Sequence, residues 1–422
     1  MKKTLLLSAV ASTMIMAGGD IAPVEPVVET PAVAVAPSGW DFSGQAVVYY
    51  QTGDYPTAVA AAFNGATSAD LFDQDGSRAD FGLQLRAVNK DVVAGIGFGG
   101  EVSALSTLNL ENFLVSDVMQ GTGVLGDVDD VTDGGWISQL YLTYAIGNTS
   151  FKLGRQELPK ALSPFAFSEN WNVFKNTFDA ALVVNTDLPN TTLVGAWVGG
   201  ANHNGLGALA NLTDFNSVND DNGIYMLTAQ NKSFAGLTLT GTWYYAADYV
   251  AGEDANILWG DAAYAADSFY GALQAGTVMS DGFADDTVAF GVKAGTDLGM
   301  FNVELAYSSV DDGGIGVFNV GGVKTPLYTQ MILNQDAIRY DSDSFVARAG
   351  VKALGGKFGL AYDYSDTNDA SVFGDDYSEL DLTYKTKVFN DAATLFAGYI
   401  YQDADAWDDS RNTIRVWGRY NF

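Results

Sequence analysis

From Trp40 to the end of the chain, apolar and polar residues alternate in short runs, and the alternation is cleanest in the last of them. Over Ser410 to Phe422, one set of alternate positions is Asn412, Ile414, Val416, Gly418, Tyr420 and Phe422; the other is Arg411, Thr413, Arg415, Trp417, Arg419 and Asn421. Successive side chains of a strand point to opposite faces. This stretch therefore predicts a strand with one mostly apolar face and one face of regularly spaced arginines, with about 13 Å between Arg415 and Arg419. The same reading sets Phe81, Leu83, Leu85 and Ala87 against Asp80, Gly82, Gln84 and Arg86. It sets Phe345, Ala347, Ala349 and Val351 against Val346, Arg348, Gly350 and Lys352, and Leu380, Leu382 and Tyr384 against Asp381, Thr383 and Lys385. Segments 256–266 and 392–402 alternate less cleanly and leave their facing open.

About eighteen such segments follow one another from 40–50 to 410–422, each about as long as the ~9–11 tilted residues that cross a bilayer as a strand. The connections alternate in length. Short turns are expected at Asn89-Lys90-Asp91, Gly147-Asn148, Leu188-Pro189-Asn190, Asn231-Lys232-Ser233, Ala266-Asp267, Asp297-Leu298-Gly299, Gly355-Gly356 and Asn390-Asp391, which supply the residues tight turns need. Between them lie longer loops, 51–77, 105–134, 157–175, 202–222, 249–255, 279–285, 311–342, 367–375 and 403–409. A soluble sandwich has no reason to sort its loops by length. A transmembrane antiparallel up-and-down β-barrel does, with short periplasmic turns and long extracellular loops. An even strand number puts both chain ends on the short-turn side, where the last strand would pair with Trp40–Tyr50. Aromatics near strand ends, among them Trp40, Tyr49, Tyr50, Trp136, Tyr144, Trp243, Tyr244, Tyr245, Tyr399, Tyr401, Tyr420 and Phe422, are expected to form interfacial girdles.

Composition supports an all-β chain. There are 47 glycines among 422 residues and 13% aromatics, poor helix material, and the mean hydropathy of +0.06 fits averaged lipid-facing and lumen-facing positions. The chain has no cysteine, which excludes disulfides, thiolate metal sites and cysteine nucleophiles. Its single His, His203, lies in Asn202-His203-Asn204-Gly205 with no fixed partner, so neither a zinc site nor a Ser-His-Asp site is expected, and no catalytic residue, metal or cofactor is assigned. A net charge of −30 excludes nucleic-acid binding. Residues 1–19 read as a signal peptide: Lys2 and Lys3, an apolar run from Thr4 to Met16, then Ala17-Gly18-Gly19. Residues 20–38, with Pro23, Pro26, Pro31 and Pro37, read as a Pro-rich periplasmic tail, and 39–422 as the barrel. Acidic clusters at Asp70–Asp75, Asp127–Asp133, Asp366–Asp376 and Asp403–Asp409 read as a solvated rim, or as weak divalent sites bridging lipopolysaccharide phosphates. Asp73-Gln-Asp75-Gly76 opens like a calcium loop but has Gln84 at its twelfth position, which rejects an EF-hand.

A barrel this wide is not filled by its own side chains. The segment 157–175 (ELPKALSPFAFSENWNVFK) carries Phe165, Phe167, Trp171 and Phe174 among Glu157, Lys160, Glu169 and Lys175, and is expected to fold inward as a constriction; an outer loop or a subunit contact is the alternative. Parity aims Arg86, Arg348, Arg411, Arg415 and Arg419 inward, with Arg155 at the root of the loop, facing Glu157 and Glu169. Such opposed charges either set a transverse field across a pore or pair with inward acids such as Glu101, Glu304, Asp363 and Asp381. The run Gln139-Leu-Tyr-Leu-Thr-Tyr144, a short turn, then Lys152-Leu-Gly-Arg-Gln-Glu-Leu158 resembles the fourth and fifth strands of the major outer membrane porins of epsilonproteobacteria, relatives of the OprD-type porins. The resemblance is sharpest over 136–200 and loose over Ala161–Asn170. It implies a bacterial outer-membrane porin with eighteen strands, its third long loop in the pore, passive diffusion of small hydrophilic solutes and ions, outer-membrane lipid and lipopolysaccharide around it, and a homotrimer. The competing reading is a surface adhesin or ligand-binding barrel using loops 105–134 and 311–342. Acidic loop mouths predict a weak cation preference, which the inward arginines oppose.

Overall fold

A computed structural model describes residues 39–54, 68–119, 134–205, 211–369 and 372–422; the expected signal peptide, the Pro-rich tail and the acidic run 127–133 lie outside them. Nineteen strands form one antiparallel sheet: β1 (Asp41–Gly53), β2 (Ser77–Val93), β3 (Ile96–Ser106), β4 (Gly134–Ile146), β5 (Thr149–Gln156), β6 (Phe178–Asn185), β7 (Thr191–His203), β8 (Asn211–Ser217), β9 (Ile224–Phe234), β10 (Leu237–Val250), β11 (Glu253–Ala265), β12 (Phe269–Ser280), β13 (Thr287–Asp297), β14 (Phe301–Val310), β15 (Ser342–Ala353), β16 (Gly356–Asp369), β17 (Gly374–Val388), β18 (Ala393–Ala404) and β19 (Arg411–Asn421). Each strand pairs with its neighbours in sequence, except that β8 pairs with β7 alone and β9 pairs with β7 past it. β8 is therefore an appendage, and the other eighteen are the staves of an up-and-down barrel. β1 closes the ring against β19, in register from Gln45↔Asn421 to Gly53↔Thr413. The last rung is reciprocal: Gly44 N–H donates to Phe422 O at 2.8 Å and Phe422 N–H to Gly44 O at 3.0 Å. Closure leaves no open edge among the eighteen staves.

The outer wall follows the predicted parity. Leu85, Val102, Leu142, Leu153, Leu227, Leu258, Leu273, Leu305, Leu360, Leu382 and Val416 are exposed on it. Exposed aromatics flank this band at both rims, Tyr264, Phe269, Phe301 and Tyr420 near the short turns and Trp197, Trp243, Tyr225 and Phe345 near the other end. Three aromatics expected in the girdles, Tyr49, Trp136 and Tyr244, instead point inward and are buried. The two segments of unclear facing resolve for the same reason. Trp259 of β11 and Ile400 of β18 are apolar residues on the inner wall, so polar alternation fails where inward positions receive packed loops.

Several corners differ from expectation. The turns fall at Ala94-Gly95, Ala235-Gly236 and Leu354-Gly355 rather than at the Asn-rich strings before them or at Gly355-Gly356. Ala94 and Gly95 have φ 54° and 82°, and Leu354 and Gly355 have 53° and 76°. A two-residue hairpin matching strand twist needs positive φ at both positions, and glycine accepts the second without strain. Asn89–Asp91 are absorbed into β2 beside a register irregularity. On the long-loop side, 249–255 reduces to a two-residue corner at Ala251-Gly252, with φ 54° and 82°.

At Gly44 a Cβ would lie 2.6 Å from the Phe422 ring and 2.5 Å from Gln84 O. Gly44→Leu should therefore disturb the closing pair at a cost of about 1–3 kcal/mol, read as a lower temperature at which the folded, fast-migrating band is lost on a denaturing gel; an unchanged temperature would mean that closure does not depend on this contact.

Candidate functional site

Among the described residues, two long segments leave the long-loop rim and pack against the inner wall, with Met119 joining one of their clusters. The first is the predicted one. At Gly154 of β5, φ is +118° and a Cβ would lie 2.3 Å from Leu140 O, so glycine permits the distortion just before the chain leaves the sheet. Residues 157–175 then run inward in two halves. In the first, Leu158, Leu162, Phe165 and Ala166 bury against Phe178, Val194, Val198, Tyr244 and Trp259. The Phe165 ring meets Tyr244 at 5.8 Å and Trp259 at 5.2 Å, both edge-on, and its N–H donates to the Tyr244 hydroxyl at 3.1 Å. In the second, Trp171, Val173 and Phe174 bury against Val47, Tyr49, Leu105 and Trp136. Phe174 occupies the space over Gly82, where a Cβ would lie 2.5 Å from its ring. Burying each of these large side chains is worth about 1.5–3 kcal/mol.

The arginines of the last strand hold this second half. Arg419 donates to the carbonyls of Asn172 and Val173 at 3.3 and 3.2 Å and to Gln45 Oε1 at 2.7 Å. Arg415 donates to Gln51 Oε1 at 2.9 Å and lies 5.4 Å from the Trp171 ring centroid. Arg411, at the top of the same face, is buried and in register with Gln402.

The second inward segment is 311–341, which sequence reasoning left outside as a surface loop. Its residues Thr325, Leu327, Thr329, Met331, Asn334 and Ile338 are buried. It rests on a row of inward carboxylates. Leu333 N–H donates to Glu379 at 2.8 Å, Ile332 N–H faces Asp381 at 3.4 Å, and the Asn334 amide donates to Asp363 at 2.9 Å. Arg348 donates to Glu304 at 2.7 Å and to Gln330 O at 3.0 Å. The Tyr328 hydroxyl donates to Asp261; burial, then the Asp261 charge, holds its pKa well above the ordinary phenol range. Parity aims Glu304, Asp363 and Asp381 inward, but nothing local says that such acids meet main-chain N–H groups, an amide and a hydroxyl of one loop. The weak signal was compositional: Asn319, Asn334 and the lone Lys324 stand in a loop otherwise rich in apolar residues.

The ten predicted site residues therefore divide. Arg86, Glu157 and Lys175 come together: Arg86 donates to the Tyr141 hydroxyl at 3.1 Å, Lys175 pairs with Glu157 at 2.6 Å, and Glu101 and Glu157 both act on the Arg86 charge. Lys160 donates to Thr325 O at 2.9 Å, bridging the two inward segments. Arg348, Arg411, Arg415 and Glu169 are buried, and Arg419 is half-buried against the loop carbonyls. Arg155 does not point inward. It is in register with Leu140 and follows Leu153 by two residues, both exposed on the outer wall. It pairs with Asp179 at 3.0 Å and lies 3.1 Å from the Phe215 ring centroid, where β8 reaches toward β4 above the ends of β5 and β6. Missed by sequence reasoning is a row of inward lysines, Lys352, Lys357 and Lys385, directly opposite one another across β15, β16 and β17. Parity already aimed Lys352 and Lys385 inward; only register sets Lys357 between them.

No protein-family model and no curated protein matches the chain. Solved structures do. OccK9 (OpdG) of Pseudomonas aeruginosa superposes with a TM-score of 0.71 at 14% identity, over 91% of this chain and 98% of that one. OpdK of the same organism, in its structure with vanillate, superposes with 0.70 at 13% identity, over 90% and 98%. OccK8 (OprE) gives 0.69 at 15% identity, over 91% and 98%. Likeness at these identities establishes a shared fold, an eighteen-stave antiparallel barrel of the same extent.

Proposed function

We propose that this chain is an outer-membrane porin that lets small hydrophilic solutes and ions diffuse through a water-filled passage, without bond chemistry. One observation carries the reading. An eighteen-stave ring with an apolar outer band and a charged inner wall is wide enough to leave an aqueous channel unless it is narrowed, and here two segments narrow it from within. The outer band suits the outer membrane of a bacterium, reached by way of a signal peptide in residues 1–19, with lipopolysaccharide around the acidic rim. The structural neighbours named Occ, Opr and Opd are consistent with this class. The finer attribution, to the major porins of epsilonproteobacteria with their homotrimer, draws on the motif over 136–200, the strand count, the loop order and the terminal Phe422. Segment 157–175 is proposed as the constriction, lined by Arg86, Glu157, Lys160 and Lys175.

The adhesin reading loses its main argument, because 311–341, one of the two long loops offered to partners, is folded into the barrel. Among the described residues, exposed Asp281, Asp285, Asp286, Asp405, Asp408 and Asp409 at the long-loop rim support the proposed weak cation preference against the inward lysine row.

Two outcomes follow. Purified protein added to a planar bilayer should give stepwise conductance, with a reversal potential in a salt gradient of the sign for cation preference. Absence of any steps would sink the porin reading, and the opposite sign would assign selectivity to the lysines and Arg86. Lys160→Ala should change the single-channel conductance, since Lys160 bridges both inward segments, whereas Arg155→Ala should leave it unchanged because that guanidinium lies on the outer wall. An effect of Arg155→Ala larger than that of Lys160→Ala would contradict this assignment.

A further inference from the structure

Glu169 was read from the sequence as a pore-facing charge. Its carboxylate is only 3% exposed, and all its partners belong to the two inward segments. Oε2 accepts the Trp171 indole N–H at 2.7 Å. Oε1 accepts the Asn319 amide at 2.8 Å and the Lys324 main-chain N–H at 2.7 Å. The knot is built from both sides. Asn319 also accepts from Phe167 N–H at 2.7 Å and donates to Phe167 O at 2.8 Å, and Val320 N–H donates to Phe165 O at 2.8 Å. Glu169 is itself held, its N–H donating to Asn176 Oδ1 at 2.7 Å and its carbonyl accepting from the Asn204 amide at 3.1 Å. Gly322 makes the approach possible: a Cβ there would lie 2.0 Å from Glu169 Oε1. Three N–H groups on one buried carboxylate are strong, oriented bonds, and these tie a segment anchored on β5 and β6 to one anchored on β14 and β15.

We propose that Glu169 is a positioning residue for the passage: its carboxylate fixes 318–325 against 165–171 and so sets the width of the opening, without lining it. The proposal rests on the porin reading for its consequence, but not for its geometry. Glutamine at this position keeps one acceptor and turns an N–H toward another N–H; alanine removes every acceptor; alanine at Gly322 drives a methyl onto the carboxylate without changing any charge.

Four proteins are compared in planar bilayers: the wild type, Glu169→Ala, Glu169→Gln and Gly322→Ala. Expected are a conductance roughly twofold higher for the two alanine variants, a larger size limit for poly(ethylene glycol) that blocks the current, a smaller change for Glu169→Gln, and the wild-type reversal potential throughout. A shifted reversal potential in Glu169→Gln with an unchanged polymer limit would make Glu169 a lining charge and overturn the proposal, as would wild-type conductance and polymer limit in both alanine variants. A second measurement does not depend on conduction. The chain has no cysteine, so Thr325→Cys, a buried position in the second segment, can be introduced alone and labelled with a maleimide in the folded protein. Labelling should be at least several-fold faster when Glu169→Ala is added; equal rates would overturn the proposal even in a protein that passed no current. If the wild type carries no current while labelling accelerates, the porin reading falls and the knot stands.

Discussion

Closure of the sheet is the constraint on which everything else depends. In the proposed lipid-facing wall no water reaches the outer side to satisfy N–H and C=O groups, so every stave must find both partners among its neighbours. The pairing of β1 with β19 meets that demand for the whole ring, and its last rung brings Gly44 and Phe422 together at one rim. Once the ring is closed, parity assigns each side chain to the outer face or to the interior, and strand number sets the width. Width then creates the second problem, an interior that side chains from the wall cannot fill.

The two inward segments answer it in different chemical ways. Segment 157–175 is held mainly by apolar anchors, Phe165 on Tyr244 and Trp259 and Phe174 on Trp136, with arginines of β19 capping its free carbonyls. Segment 311–341 adds polar anchors to its buried Leu327, Met331 and Ile338: the Leu333 N–H and the Asn334 amide on wall carboxylates and Arg348 on Gln330 O. Main-chain groups buried away from a sheet must be paired, and a row of acids on a barrel wall supplies acceptors at strand spacing. A strongly acidic composition thus has a structural use inside the molecule as well as at its rim.

The inward arginines of β15 and β19 take structural roles accordingly. Arg348 neutralises Glu304 beneath a loop, Arg415 packs on Trp171, and Arg419 binds carbonyls of segment 157–175. They work as tethers, while other charges of the inner wall and the first segment include Arg86, Glu157, Lys175 and the lysines of β15 to β17. Stripes of like charge along a strand are ambiguous in this way whenever a loop competes for the same wall.

What the sequence alone determined is what local periodicity encodes. Period-two alternation, turn residues and the sorting of loop lengths yielded all eighteen staves, their facing where the pattern was clean, the common rim of both ends and the closing pair, because each depends on residues adjacent in the chain. Segment 157–175 was legible as a packed loop for the same reason, its aromatics standing in one run. Only the tertiary structure decided that Tyr49, Trp136 and Tyr244 belong to the interior, that Trp259 and Ile400 face inward, that 311–341 folds inside and that Arg155 lies outside. Those outcomes turn on contacts such as Glu169 with Lys324, between residues far apart in sequence. An inward aromatic awaiting a loop looks the same in sequence as an outward one awaiting lipid, and the difference is made only by what the closed ring brings against it.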